Sequence, residues 1–106
     1  MKNITQEDWE KQIAEDSDAV ILDVRTQNEV DEGIIPEAKN IDIYEGQGFV
    51  DKVEKLDKSK NYYVYCRSGN RSGQACQIMD QLGFNNTYNL IGGMNEWDGE
   101  VTQMED

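Results

Sequence analysis

The stretch Ala19-Val20-Ile21-Leu22-Asp23-Val24 is apolar at five of its six positions. A half-exposed strand alternates apolar with polar. A short run without alternation is a strand buried on both faces, and it needs covering layers above and below. A second β-rich run, Tyr62-Tyr63-Val64-Tyr65, leads straight into Cys66. The intervening segments carry helical spacing instead: Trp9, Ile13 and Ala14, then Phe49, Val50, Val53 and Leu56, then Ala75, Ile78, Met79 and Leu82. Thr5 ahead of Asp8, and Thr26 ahead of Glu29 and Val30, are N-terminal caps, while Gly33 and Gly83 are stops. Ile4 sits in a short extended start, Asn40-Ile41-Asp42-Ile43 reads as a strand after Pro36, and Asn86–Leu90 reads as the last strand. Ile91-Gly92-Gly93 then opens a short helix holding Met94 and Trp97, both read as core. Strands alternating with helices in 106 residues predict one α/β domain with a mainly parallel sheet. Residues 4–98 form its body, and 99–106 read as a frayed acidic tail.

Charge excludes several classes of partner. Ten basic against 22 acidic side chains give a net charge of −12, which argues against sequence-independent nucleic-acid binding and against an anionic membrane. There is no histidine, so Ser-His-Asp and Cys-His catalysis and His-ligated metals are out. The two cysteines, Cys66 and Cys76, match no zinc or thioredoxin-like spacing, and nothing implies a cofactor or a metal. Free thiols and the lack of a signal-peptide apolar region read as cytoplasmic. The charge is also uneven. From Lys58 to Met79 there is no carboxylate, and Lys58, Lys60, Arg67 and Arg71 make that stretch a cationic island.

Cys66 lies at the head of that island's turn, Arg67-Ser68-Gly69-Asn70-Arg71-Ser72-Gly73, between a strand and a helix. Ligands of parallel α/β sheets bind outside the carboxyl ends of strands, which is where this turn falls. A turn entering a helix can aim successive N–H groups at one point, and the helix dipole adds about half a positive charge there. A cysteine at that point is either a small buried residue or an activated thiol. Two arginines and two flexible glycines favour the thiol, whose pKa such a setting lowers. Cys76 has no basic neighbour inside its apolar helical pattern and reads as packing, with a resolving thiol as the alternative.

The segment Cys66-Arg67-Ser68-Gly69-Asn70-Arg71-Ser72 resembles the active-site loop of rhodanese-type sulfurtransferases. Leu22-Asp23-Val24-Arg25, Gly33-Ile34-Ile35-Pro36-Glu37-Ala38 with Asn40-Ile41, and Gly92-Gly93-Met94-Asn95-Glu96-Trp97 match the family in the same order. The resemblance implies a single domain with a five-stranded parallel sheet flanked by helices on both faces. It also implies transfer of sulfane sulfur from thiosulfate or a persulfide donor to cyanide, a thiol or a protein partner, through a persulfide on Cys66. The loop N–H groups would then stabilise the persulfide, Arg67 and Arg71 would hold the anionic donor, and Asp23 with Arg25 would form a supporting ion pair. A sulfur carrier or docking module with little thiosulfate turnover is the alternative. Arg71 closes a Cys-x₄-Arg loop, one residue shorter than the phosphatase relatives need, which favours sulfur over phosphorus oxyanions. Two positions depart from the family's Gly-His-Ile-Pro-Gly-Ala: Ile34 stands for the His and Glu37 for the second Gly.

Overall fold

The structure is a computed structural model and describes residues 1–104. Five parallel strands, β1 (Lys2–Ile4), β2 (Ala19–Asp23), β3 (Lys39–Asn40), β4 (Asn61–Tyr65) and β5 (Asn86–Leu90), form one sheet in the order β1-β5-β4-β2-β3. The helices between and after them are α1 (Gln6–Glu15), α2 (Gln27–Asp31), α3 (Gln47–Glu54), α4 (Asn70–Gln81) and α5 (Gly93–Glu96). β4 is the central strand, and its non-alternating sequence is explained by what it touches. Tyr62 and Val64 enter a layer with Leu22, Val24, Phe49, Val53, Ala75, Cys76 and Met79, under α3 and α4. Tyr63 and Tyr65 enter the opposite layer with Trp9, Ile21, Val30, Ile35 and Leu90. Trp9 meets both tyrosines edge-on, at ring separations of 5.6 and 6.1 Å.

Local chemistry sets the helix starts. The Thr5 hydroxyl accepts from the Asp8 N–H at 3.2 Å, and Thr26 with Glu29 forms a complete capping box. No helix among the described residues is long and apolar enough to cross a membrane.

Two expectations are corrected. The strand read at 40–43 stops at Asn40. The Asn40 amide donates to the Asp23 and Arg25 carbonyls, each at 3.0 Å, and the Asp42 carboxylate accepts from the Tyr44 N–H at 2.8 Å. These side chains divert the backbone from the ladder into a 3₁₀ turn over Ile43–Glu45. The tail, in turn, is not frayed as far as residue 104. Thr102 and Ile34 exchange both backbone hydrogen bonds, at 2.8 and 2.9 Å, and Met104 packs on the Trp9 layer. Residues 105 and 106 lie outside the described residues.

The two departures from the family pattern have structural meaning. Ile34 is buried in the Trp9 layer, on the opposite side of the sheet from Cys66, so the missing His costs the cysteine nothing direct. Glu37 has φ = 72°, the left-handed region in which an L side chain is strained. The Glu37→Gly variant is expected to gain about 0.5–1 kcal/mol, the relief of that strain less the flexibility glycine adds to the unfolded chain. A rise in the urea midpoint at unchanged slope checks this.

Candidate active site

The chain order puts a topological switch point at the C-terminal ends of β2 and β4. After β2 the chain works outward to β3, and after α3 it returns to the centre as β4 before going the other way to β5. Connections leave that point in opposite directions, and Arg71 in the first turn of α4 meets Glu29 in the first turn of α2. Cys66 directly follows β4 and has no exposed surface.

Its sulfur is ringed by donors. The Gly69 N–H reaches Sγ at 3.1 Å and the Ser72 hydroxyl at 3.3 Å. Burial pushes the thiol pKa up, but the Ser72 hydroxyl and the N–H groups of Ser72, Gly69 and Ser68 outweigh it and hold the pKa below the ordinary thiol value. Gly69 enters α4 at φ = 104°, a conformation that lets the turn curl around the sulfur. The Ser68 and Asn70 side chains are exposed, and Ser68 acts on the sulfur through its backbone N–H. A thiolate held in this way is a nucleophile without any imidazole.

The loop is also clamped from behind, which was not legible in the Gly-Gly motif itself. The Met94 N–H donates to the Cys66 carbonyl at 3.0 Å and the Asn95 N–H to the Arg67 carbonyl at 2.9 Å. A Cβ at Gly93 would lie 2.5 Å from the Cys66 carbonyl oxygen, so only glycine lets the two segments close.

A second unforeseen partner is Asn89. Its Nδ2 donates to Asn3 Oδ1 at 3.0 Å and to the Gly69 carbonyl at 3.1 Å, which turns its Oδ1 toward the Ser72 hydroxyl. Ser72 therefore has one proton and two acceptors, Asn89 and the Cys66 sulfur. In Ser72→Ala the thiol loses a donor to its charged form, so its pKa should rise. The pH profile of Cys66 alkylation by iodoacetamide is expected to shift to higher pH, with the rate at neutral pH falling and the high-pH plateau retained.

Both arginines of the loop meet carboxylates of this chain. Arg71 spends both terminal nitrogens on Glu29, at 2.7 and 2.8 Å, with its guanidinium 5.5 Å from the Tyr44 ring centroid. The Arg71 fork, with the Thr26 cap, holds the Glu29 carboxyl down at about 2. Arg67 leans on the same carboxylate at 3.5 Å and on Glu32 at 3.6 Å. Lys58 pairs with Glu54 and Lys60 with Asp18, at 3.2 and 3.8 Å. The stretch without carboxylates is thus an island only along the chain. In space each of its four cations meets an acid outside the stretch, Lys58 its near neighbour Glu54 and the other three acids distant along the chain. Sequence reading treated Glu29 as a helix-start residue, and the one available signal was its place three residues after Thr26.

Asp23, the last residue of β2, and Arg25 form a buried ion pair. Arg25 Nη2 reaches Asp23 at 2.7 Å and the Gly33 carbonyl at 2.8 Å, over the Tyr65 ring. Cys76 is fully buried among Ala75, Met79 and Phe84, and burial pushes its thiol up to about 12, so it is inert packing. Among the described residues no group of three or more metal-ligating side chains converges.

Comparisons with known proteins agree with this geometry. The model of the "Rhodanese-like domain" family matches residues 5–100. "Putative sulfurtransferase YtwF" of Bacillus subtilis (strain 168) is 40% identical over 101 residues, 95% of this chain and 94% of that protein. "Thiosulfate sulfurtransferase GlpE" of Coxiella burnetii (strain RSA 493 / Nine Mile phase I) is 36% identical over 91 residues, 86% of this chain and 80% of that protein. The crystal structure of a rhodanese-like domain protein from Staphylococcus aureus superposes with a TM-score of 0.84 at 30% identity, covering 99% of this chain and 100% of that one. On its matched residues, its sheet order and its cysteine loop, this chain belongs to the rhodanese-like domain family.

Proposed function

We propose that this domain is a sulfurtransferase that carries sulfane sulfur on Cys66. The observation that carries the reading is the ring of donors on Sγ at the start of α4, which favours an anionic sulfur there. The Cys66 thiolate attacks the outer sulfur of thiosulfate. The S–S bond breaks, sulfite leaves with the electron pair, and a persulfide anion remains on Cys66. The same N–H groups and the Ser72 hydroxyl stabilise that anion. In the second half, cyanide or a thiolate attacks the outer sulfur and takes it, and the Cys66 thiolate is restored. A covalent intermediate between two half-reactions gives ping-pong kinetics. The Cys-x₄-Arg loop supports sulfur over phosphate chemistry, and the names of the related proteins point the same way.

Incubation with thiosulfate is expected to add one sulfur atom to the intact protein, and prior alkylation of Cys66 to block it. No mass gain from thiosulfate, with gain from a persulfide-bearing protein, would favour a sulfur carrier fed by partners. One observation gives that second reading weight: the arginines expected to hold a free oxyanion are already engaged by carboxylates.

A further inference from the structure

The Arg71 fork is the strongest oxyanion grip beside Cys66, and an oxyanion of the chain itself fills it. Two contacts of 2.7 and 2.8 Å on Glu29 use both of its terminal nitrogens. The Tyr44 ring lies against the guanidinium at 5.5 Å, and Arg67 adds a third, longer contact to the same carboxylate. Both side chains of the pair are largely buried, 18% and 16% exposed, so the bond is little screened by water. A planar fork binds carboxylate and sulfonate oxygens in the same way. Glu29 thus stands where a sulfonate group would be gripped. With Glu32 on Arg67, two carboxylates balance two guanidiniums at the mouth, and the whole chain adds a net charge of −12.

Resting on the sulfurtransferase reading, we propose that Glu29 is a specificity-determining residue, an internal competitor for the arginine fork that turns the site away from dianionic donors and toward donors of single negative charge. Thiosulfate must displace Glu29 to gain the fork, or bind without it and meet an uncompensated second charge. A singly charged sulfane donor needs only the N–H ring around Sγ. The two donor types are compared by thiosulfate and methanethiosulfonate, which differ by one oxyanion charge against a methyl group. Each gives the same persulfide. Cys66–S⁻ attacks the outer sulfur, and the leaving group is sulfite from the first and methanesulfinate from the second, so charge balances in both.

The test is the second-order rate of sulfur loading onto Cys66, followed by intact mass, for both donors. Glu29→Gln keeps the capping arrangement with Thr26, because glutamine serves in that box as well as glutamate. It is expected to load from thiosulfate roughly tenfold faster, the scale of one charge-assisted hydrogen bond regained, and to change the methanethiosulfonate rate less than about threefold. Glu54→Gln makes the same charge change on α3, where Glu54 pairs with Lys58 and not with either arginine, and is expected to leave the ratio of the two donors unmoved. A thiosulfate rate unchanged or reduced in folded Glu29→Gln overturns the proposal. So does an equal gain in Glu54→Gln. If Glu29→Gln does not fold, the wild-type protein decides: faster loading from thiosulfate than from methanethiosulfonate overturns the proposal, and the reverse order supports it. Loading from neither donor would instead defeat the sulfurtransferase reading on which it rests.

Discussion

Cys66→Ser is expected to abolish sulfur loading altogether, while Cys76→Ser loads one sulfur atom like the wild type. The contrast follows from two thiols of one chain in opposite settings. Three N–H groups and a hydroxyl outweigh burial at Cys66, and nothing does so at Cys76. A serine hydroxyl in place of the thiol is a far weaker nucleophile toward sulfur and cannot form a persulfide. Intact mass after thiosulfate treatment measures both variants at once. Equal loading of Cys66→Ser would sink the mechanism, and loss of loading in Cys76→Ser would assign the second thiol a part.

Asp23→Ala should give the largest loss of stability. Asp23 has no exposed surface and Arg25 is 3% exposed. The carboxylate takes the Arg25 side chain at 2.7–3.1 Å and its backbone N–H at 2.9 Å. Removing one member leaves a buried guanidinium uncompensated, at a cost of about 3–5 kcal/mol. That is a large share of the roughly 5–15 kcal/mol by which domains are stable. Replacing both with apolar residues of similar volume, Asp23→Leu with Arg25→Met, should recover most of the loss. Urea unfolding of the single and double variants reads the difference, and a single-variant cost below about 1 kcal/mol would make the pair a bystander.

What could be read in advance was what short stretches of chain dictate. The cysteine turn is local: one loop carries the thiol, its N–H donors and the helix start, so its residues announced their arrangement. Both-face burial of β2 was equally local, written in its lack of alternation. The Arg71–Glu29 contact joins residues 42 apart, and Ser72–Asn89 joins residues 17 apart. Such pairs depend on which strand lies beside which, and no spacing in the sequence encodes the order β1-β5-β4-β2-β3. The cationic island misled for the same reason, since charge balance is struck between neighbours in space. Strand β3 was overextended because apolar Ile41 and Ile43 spoke for a ladder, while Asn40 and Asp42 bonded the nearby backbone first.

The complete burial of Cys66 has a consequence for the protein's endurance. Oxidation of a thiolate by peroxide tracks exposure as well as ionisation. A sulfur lowered in pKa but fully buried would react with a molecule bound beside its loop and be slow toward one that merely collides with the surface. The same burial would shelter the persulfide proposed for Cys66 from stray thiols in bulk water. Selectivity in time, between a delivered reactant and a random one, is thus built into the place where the chain turns from β4 into α4.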